Sequence, residues 1–198
     1  PDPKVKTGTA SDEDYAGSGY DRGHLAPAAD MGWSQASMSE SFYYSNMSPQ
    51  TPGFNRGIWK KLEEQVRTWA VENESIYIVT GPILKPGLPT IGRNNVSVPE
   101  RYYKVILDYT QPEIKGIAFI LSNIGSSEPL QSFAVPIETV EKYTGIDFFP
   151  SLTKDEEEHL EKTICIPCWS WKSNTSSGTK EIHTNSESVQ CSGITKAG

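Results

Sequence analysis

The sequence predicts an α+β domain, and three of its features carry that expectation. A long amphipathic helix is written between Asn55 and Asn73, and runs rich in β-branched and aromatic residues follow it. The two kinds of element do not alternate as a βαβ repeat does. The 198 residues include 5 Trp, 9 Tyr and 6 Phe and are 36% hydrophobic. That is enough for one domain with its own core, and too apolar for a wholly disordered chain. No stretch reaches the ~18 successive apolar residues of a membrane span.

Taken in order, residues 1–19 are polar, aperiodic and rich in Gly, Ser and Asp, and read as an N-terminal arm or the remnant of a trimmed domain start. The main body is expected over residues 20–164. In its helix, Ile58, Trp59, Leu62, Val66, Trp69 and Ala70 recur at three- and four-residue spacing, with Lys60, Lys61, Glu63, Glu64 and Arg67 on the other faces. Pro52 and Gly53 end the loop before it. Strands are expected at Ser75–Thr80, stopped by Gly81-Pro82, then at Tyr102–Tyr109, Ile114–Leu121 and Ser132–Ile137. Glu138–Tyr143 and Thr153–Thr163 read as short helices. Residues 165–198 turn to Ser, Thr, Asn, Lys and Gly and read as a flexible tail.

The formal net charge is −7, which argues against nucleic-acid binding by a generally basic surface and leaves room only for a local basic cleft. The chain opens at Pro1 with no signal-like apolar run, so a processed or trimmed start is expected. Four Asn-x-Ser/Thr sequons (Asn46, Asn73, Asn95, Asn174) carry little weight. Cys165 and Cys168 form a CxxC and Cys191 stands apart. A bridge from Cys191 to one of the pair, a bridge within the pair, idle thiols, a redox pair and half a zinc site are all open, but no second CxxC supports zinc.

Of the three histidines, His159 lies in the acidic run Asp155–Glu158 and His183 in the tail, and both read as solvated. His24 differs, because Tyr20-Asp21-Arg22-Gly23-His24 leads straight into it and Pro27 closes the segment. A neutral imidazole there can take a proton from water, and the planar fork of Arg22 matches two phosphate oxygens. A turn with an Asp–Arg pair and a partly buried histidine is the plain alternative. Further on, Asn55 and Glu63 stand eight residues apart, ~800° of helix or ~80° from a shared face. A neutral amide and a carboxylate two turns on suit a hard cation that keeps most of its waters. The plain alternative is an N-cap and a solvated charge.

Together, Asp-Arg-Gly-His at 21–24, Asn-Met-x-Pro-Gln at 46–50 and Asn-x-x-x-Trp-x-x-Leu-Glu at 55–63 resemble the DNA/RNA non-specific endonucleases, the ββα-metal nucleases of the endonuclease G type. The likeness continues through Val79-Thr80-Gly81-Pro82-Ile83, Val98-Pro99, Tyr103-Lys104-Val105 and Thr144-Gly145-Ile146-Asp147, and spans about residues 20–150. The resemblance implies a central antiparallel sheet flanked by helices, with two strands and the Asn55 helix framing a metal. It makes His24 the general base, Asn55 the direct ligand of a divalent cation (Mg²⁺ or Mn²⁺), Glu63 a contact to that ion's water shell, and Arg22 a phosphate contact. The family's further arginine, upstream of the motif, has no counterpart in residues 1–21, whose basic groups before the motif are Lys4 and Lys6. Either the first strands of the domain are missing from this chain or the role has moved, with Arg56, beside Asn55, as a candidate substitute in binding phosphate.

The implied activity is metal-dependent hydrolysis of phosphodiester bonds in DNA and RNA, leaving 5′-phosphates. The basic field would be confined to Arg22, Arg56, Lys60 and Lys61. A catalytically silent nucleic-acid-binding module and a phosphodiesterase for small substrates are the alternatives. A non-specific nuclease is hazardous beside its own genome, so a secreted or periplasmic location is expected.

Overall fold

The computed structural model describes residues 2–111 and 113–172. Its elements in chain order begin with a one-turn helix α1 (Asp12–Tyr15), strand β1 (Asp21–His24), helix α2 (Gln35–Glu40) and strand β2 (Met47–Gln50). A wide turn at Phe54–Trp59 then leads into helix α3 (Lys60–Glu72), strand β3 (Tyr77–Pro82) and a small hairpin of β4 (Thr90–Ile91) and β5 (Val96–Ser97). The long strands β6 (Arg101–Asp108) and β7 (Lys115–Ser122), the short β8 (Ala134–Val135), and helices α4 (Ile137–Thr144) and α5 (Lys154–Lys162) complete the described residues.

The central sheet runs β3-β6-β7-β8, antiparallel throughout, with Arg101 opposite Ser122 and Asp108 opposite Lys115 in the longest ladder. The α+β class and antiparallel sheet are therefore as the sequence predicts. Alternation along the strands divides the core into two layers. Tyr102 and Ile106 of β6 and Ile117, Phe119 and Leu121 of β7 meet Phe54, Trp59, Leu62, Val66 and Trp69 on one side. Tyr103, Val105 and Ala118 meet Ile137 and Val140 of α4 on the other. Each fully buried large side chain contributes roughly 1.5–3 kcal/mol of transfer free energy, which explains why the apolar stripe read from the sequence is the one that docks.

A separate two-stranded sheet pairs β1 with β2, Asp21 opposite Gln50 and His24 opposite Met47. It is fastened to the main sheet by polar contacts. The buried Tyr102 hydroxyl donates to Pro49 O (2.8 Å) and shares a hydrogen bond with Ser48 Oγ (2.7 Å). Asn123 Nδ2 donates to Pro49 O and Pro99 O (3.0 Å each), while its Oδ1 accepts from Thr51 N (2.8 Å).

Several expectations change. The helix expected from Asn55 to Asn73 is interrupted: Gly57 has φ −104° and ψ −110°, outside the helical region, and regular α-helix starts at Lys60. The strand expected at Ser132–Ile137 is a 3₁₀ turn (Leu130–Phe133) followed by the two-residue β8, which Pro136 ends by removing a ladder donor. Residues 1–19 include α1, whose buried Asp14 accepts from Asn94 N (3.0 Å) and Nδ2 (2.7 Å) and so ties the arm to the β4–β5 hairpin.

The expected flexible tail is ordered over residues 165–172. Trp169 is buried against Trp69, Trp171 meets the same ring edge-on, and Ser170 O accepts from Trp69 Nε1 and Gln65 Nε2. Aromatic area, not local propensity, holds this segment. Cys165 and Cys168 are joined to each other by a disulfide, which leaves neither as a zinc ligand. Cys191, His183 and Asn174 lie outside the described residues. His159 sits on α5, partly exposed. No helix among the described residues is long and apolar enough to cross a membrane.

Candidate active site

Because side chains alternate along β1, Arg22 and His24 share one face and Asp21 takes the other. Gly23, between them, is required by packing: a Cβ there would lie 2.1 Å from Oε1 and 2.2 Å from Cδ of the fully buried Gln50. Arg22 and His24 line a small cavity of about 140 Å³ with Phe42, Tyr44 and Met47. The Phe42 ring stands edge-on to the imidazole, with centroids 4.9 Å apart. His24 is partly buried, and its Nε2 is buried with no hydrogen-bond partner among the described residues. Burial first, and the Arg22 charge second, lower its pKa below the usual histidine value. The neutral ring is therefore favoured, and its Nε2 is left without a partner among the described residues. Arg22 reaches back to Asp12 of α1, and Tyr44 Oη donates to the same Asp12 Oδ1 (2.6 Å).

On the opposite face, Asp21 Oδ2 accepts from Asn55 Nδ2 (2.9 Å) and Arg56 Nε (2.8 Å), and its Oδ1 accepts from Arg56 Nη2 (2.6 Å). Arg56 most strongly, with Asn55 assisting, holds the Asp21 carboxyl below its ordinary range. The consequence for Asn55 is specific. Its amide nitrogen is committed to Asp21, so the atom oriented for any other partner is the carbonyl-type Oδ1, the donor a hard cation requires. The residue thus fits the metal that the family resemblance implies. Arg56, expected as a spare phosphate contact, has two of its donor nitrogens on Asp21.

Glu63 lies on α3, beyond the break at Gly57. It lines a larger cavity of about 440 Å³ beneath the segment that follows His24, with Leu25, Pro27, Asp30, Thr80 and Lys104. Its side chain is only 13% exposed, with Arg67 Nη2 4.0 Å from Oε2, and Arg67 Nε donates in turn to Asp30 (2.5 Å). Lys104 is fully buried; its Nζ donates to Thr80 Oγ1 (2.7 Å) and lies 4.9 Å from the Trp59 ring. Burial pushes Glu63 upward, with the Lys104 charge opposing it, and pushes Lys104 downward, with Glu63 opposing. Neither residue is a solvated surface charge.

The structure therefore brings Arg22 and His24 together, joins Asn55 to their strand through Asp21, and sets Glu63 under the chain leaving that strand. The expectation that Asn55 and Glu63 look out from one continuous helix fails, because Gly57 breaks the helical phase between them. The partners Asp21, Asp12 and Lys104 were not singled out from the sequence. Lys104 carried a signal, as the one charge inside Tyr-Tyr-Lys-Val-Ile-Leu, and Asp21 stood within the motif itself. Asn46 is a clamp on the chain after His24: its Oδ1 accepts from Ala26 N (2.9 Å) and its Nδ2 donates to Ala26 O and Ser41 O (2.8 Å each).

Comparison with known proteins identifies the setting. A family model described as DNA/RNA non-specific endonuclease matches residues 1–155. Human "Endonuclease G, mitochondrial" is 38% identical over 156 residues, 72% of this chain and 52% of that protein. Zebrafish (Danio rerio) "Nuclease EXOG, mitochondrial" is 38% identical over 176 residues, 81% of this chain and 51% of its own length. The chain thus spans about half the length of the curated relatives it matches. Among solved structures, the crystal structure of the EndoG/EndoGI complex aligns with a TM-score of 0.68 at 36% identity, covering 73% of this chain and 65% of that one. The expectation of a secreted or periplasmic protein is overturned, since both relatives are named mitochondrial nucleases.

Proposed function

Since the chain belongs to the DNA/RNA non-specific endonuclease family, we propose that it is a metal-dependent endonuclease that hydrolyses phosphodiester bonds of DNA and RNA and leaves 5′-phosphates. The observation that carries this reading is His24: a partly buried imidazole held neutral, with an unpaired nitrogen, beside an arginine. His24 acts as general base and takes the proton of the attacking water. Arg22, steadied by Asp12, binds the scissile phosphate. Asn55 is the protein ligand of the divalent cation, Mg²⁺ or Mn²⁺, through the Oδ1 that Asp21 leaves free, and Glu63 serves its water shell. A divalent cation held by Asn55 would supply charge neutralisation for the phosphodiester and its leaving group. Recognition through phosphate carries no sequence information, which suits low base preference. The names of the relatives support a mitochondrial compartment.

A supercoiled-plasmid nicking assay with Mg²⁺ tests the reading. Nicking is expected to vanish with EDTA, and to fall at least ~10²-fold in His24→Ala with DNA affinity retained. Equal loss of affinity and turnover in His24→Ala would remove the base assignment. Hydrolysis of bis-p-nitrophenyl phosphate without nicking would indicate a small-molecule phosphodiesterase instead.

A further inference from the structure

On the sheet face opposite α3, helices α4 and α5 pack against β7 and against each other. Three carboxylates meet there: Glu141 from α4, Asp147 from the loop that follows, and Glu161 from α5. One oxygen of each lies within 4.8 Å of the others. The loop is built to return Asp147 to this place. Gly145 adopts the left-handed conformation (φ 70°) that closes α4, and its N–H donates to Glu141 O (2.7 Å). Phe148 N then donates to Glu141 Oε1 (3.1 Å), and the Phe148 ring packs against Tyr103, with centroids 5.5 Å apart.

Glu161 supplies an independent observation. It is 8% exposed, and its Oε1 is buried with no hydrogen-bond partner among the described residues. Two of the three lysines on these helices face other carboxylates: Lys142 pairs with Glu138 (2.8 Å) and Lys162 with Glu158. A buried carboxylate oxygen without a donor, beside two more carboxylates, is costly unless a positive group joins them. A single proton neutralises one of the three groups. Burial, reinforced by Glu141 and its acidic neighbours, does raise the pKa of Glu161, to about 7, so above neutrality the proton is lost and the repulsion remains.

A cation resolves all three at once. Oxygen ligands 2.3–2.6 Å from one ion lie up to about 5 Å apart, which accommodates this spacing. Mg²⁺ is usually held by one or two carboxylates and keeps its waters, whereas Ca²⁺ takes six to eight oxygens in a flexible shell. We propose that Glu141, Asp147 and Glu161 form a Ca²⁺ site that fastens α4, the loop after it and α5 together, separate from Asn55 and independent of the nuclease reading.

The test uses the full chain carrying Asn55→Ala, so that the site proposed at Asn55 does not contribute. Ca²⁺ alone is titrated by isothermal calorimetry at pH 8, with thermal melts in Ca²⁺ and in EDTA. One ion per chain is expected, with a melting temperature raised by about 5–10 °C at a hundredfold excess over Kd. Adding Glu161→Gln, or Asp147→Asn at its exposed position, is expected to weaken binding at least ~10-fold and abolish the shift. Absence of Ca²⁺ binding, or binding unchanged by either substitution, overturns the site. A melting temperature that ignores Ca²⁺ but falls between pH 6 and 8 in a Glu161-dependent way overturns it too, in favour of a bound proton.

Discussion

Asp21 decides what Asn55 presents. It takes the Asn55 amide nitrogen and two nitrogens of Arg56, so one carboxylate both orients the proposed ligand residue and occupies its basic neighbour. Outer partners of this kind typically change metal affinity 10–100-fold when removed. Asp21→Ala is therefore expected to raise the Mg²⁺ concentration for half-maximal nicking by about that range. An unchanged Mg²⁺ dependence would show that Asn55 needs no such support. On the proposed mechanism the pH profile belongs to His24. Its pKa lies below the ordinary 6.5 because burial, and then Arg22, disfavour the cation. Lowering the pKa extends the neutral, proton-accepting form to lower pH, so kcat/KM should be level through pH 7 and decline only below about 6.5. Arg22→Gln should move that acid limb upward, and a limb already at or above pH 7 in the parent chain would contradict the assignment. The family likeness singled out His24, Arg22 and Asn55 as candidates. Asp21's role was not legible, because its partners are 34 and 35 residues away and no local period announces a contact over that distance.

At the scale of elements, α3 was readable because its apolar residues keep the 3.6 period that burial then uses, and β3, β6 and β7 because they are runs rich in β-branched and aromatic residues, β6 and β7 being buried on both faces. The pair β1–β2 was not. Asp-Arg-Gly-His and Met-Ser-Pro-Gln contain a glycine and a proline and show no apolar alternation, and their pairing is set by contacts with Tyr102 and Asn123. The break at Gly57 likewise has no periodic signature, since the apolar stripe runs on past it. Gly23 shows how tightly the hidden pair is specified. Its ladder partner is Ser48, and Gln50, two positions along, covers it where any Cβ would stand. Gly23→Ala forces the buried Gln50 amide to find other space in a packed interior, at a cost of about 1–3 kcal/mol. The expected result is a melting temperature lower by roughly 5 °C and a larger proportional loss of nicking, because His24 is the next residue. A melt indistinguishable from the parent would mean that Gln50 moves freely and β1 is not clamped.

Across the whole molecule, the α3 side and the α4–α5 side of the sheet carry different electrostatics. The acidic cluster of Glu141, Asp147 and Glu161 lies on the α4–α5 side, while the basic residues expected to meet nucleic acid are on β1, the turn before α3 and α3 itself. Even there the positive charge is largely spoken for: Arg22 faces Asp12, Arg56 faces Asp21, and Lys60 Nζ is 3.9 Å from Glu64. With a net charge of −7, the protein has little excess cation to release counterions from DNA, and on the proposed function affinity would come from a few phosphate contacts and the metal. Each phosphate neutralised contributes about −0.9 to the slope of log K against log salt on duplex DNA. Two or three such contacts give an expected slope of about −2 to −3. The measurement is fluorescence anisotropy of the His24→Ala chain with a labelled duplex between about 50 and 200 mM salt, a range over which a broad basic face loses affinity by orders of magnitude. A slope of about −6 or steeper would require twice the free cations that these pairings leave. Substrate would then be held by a surface beyond β1 and α3.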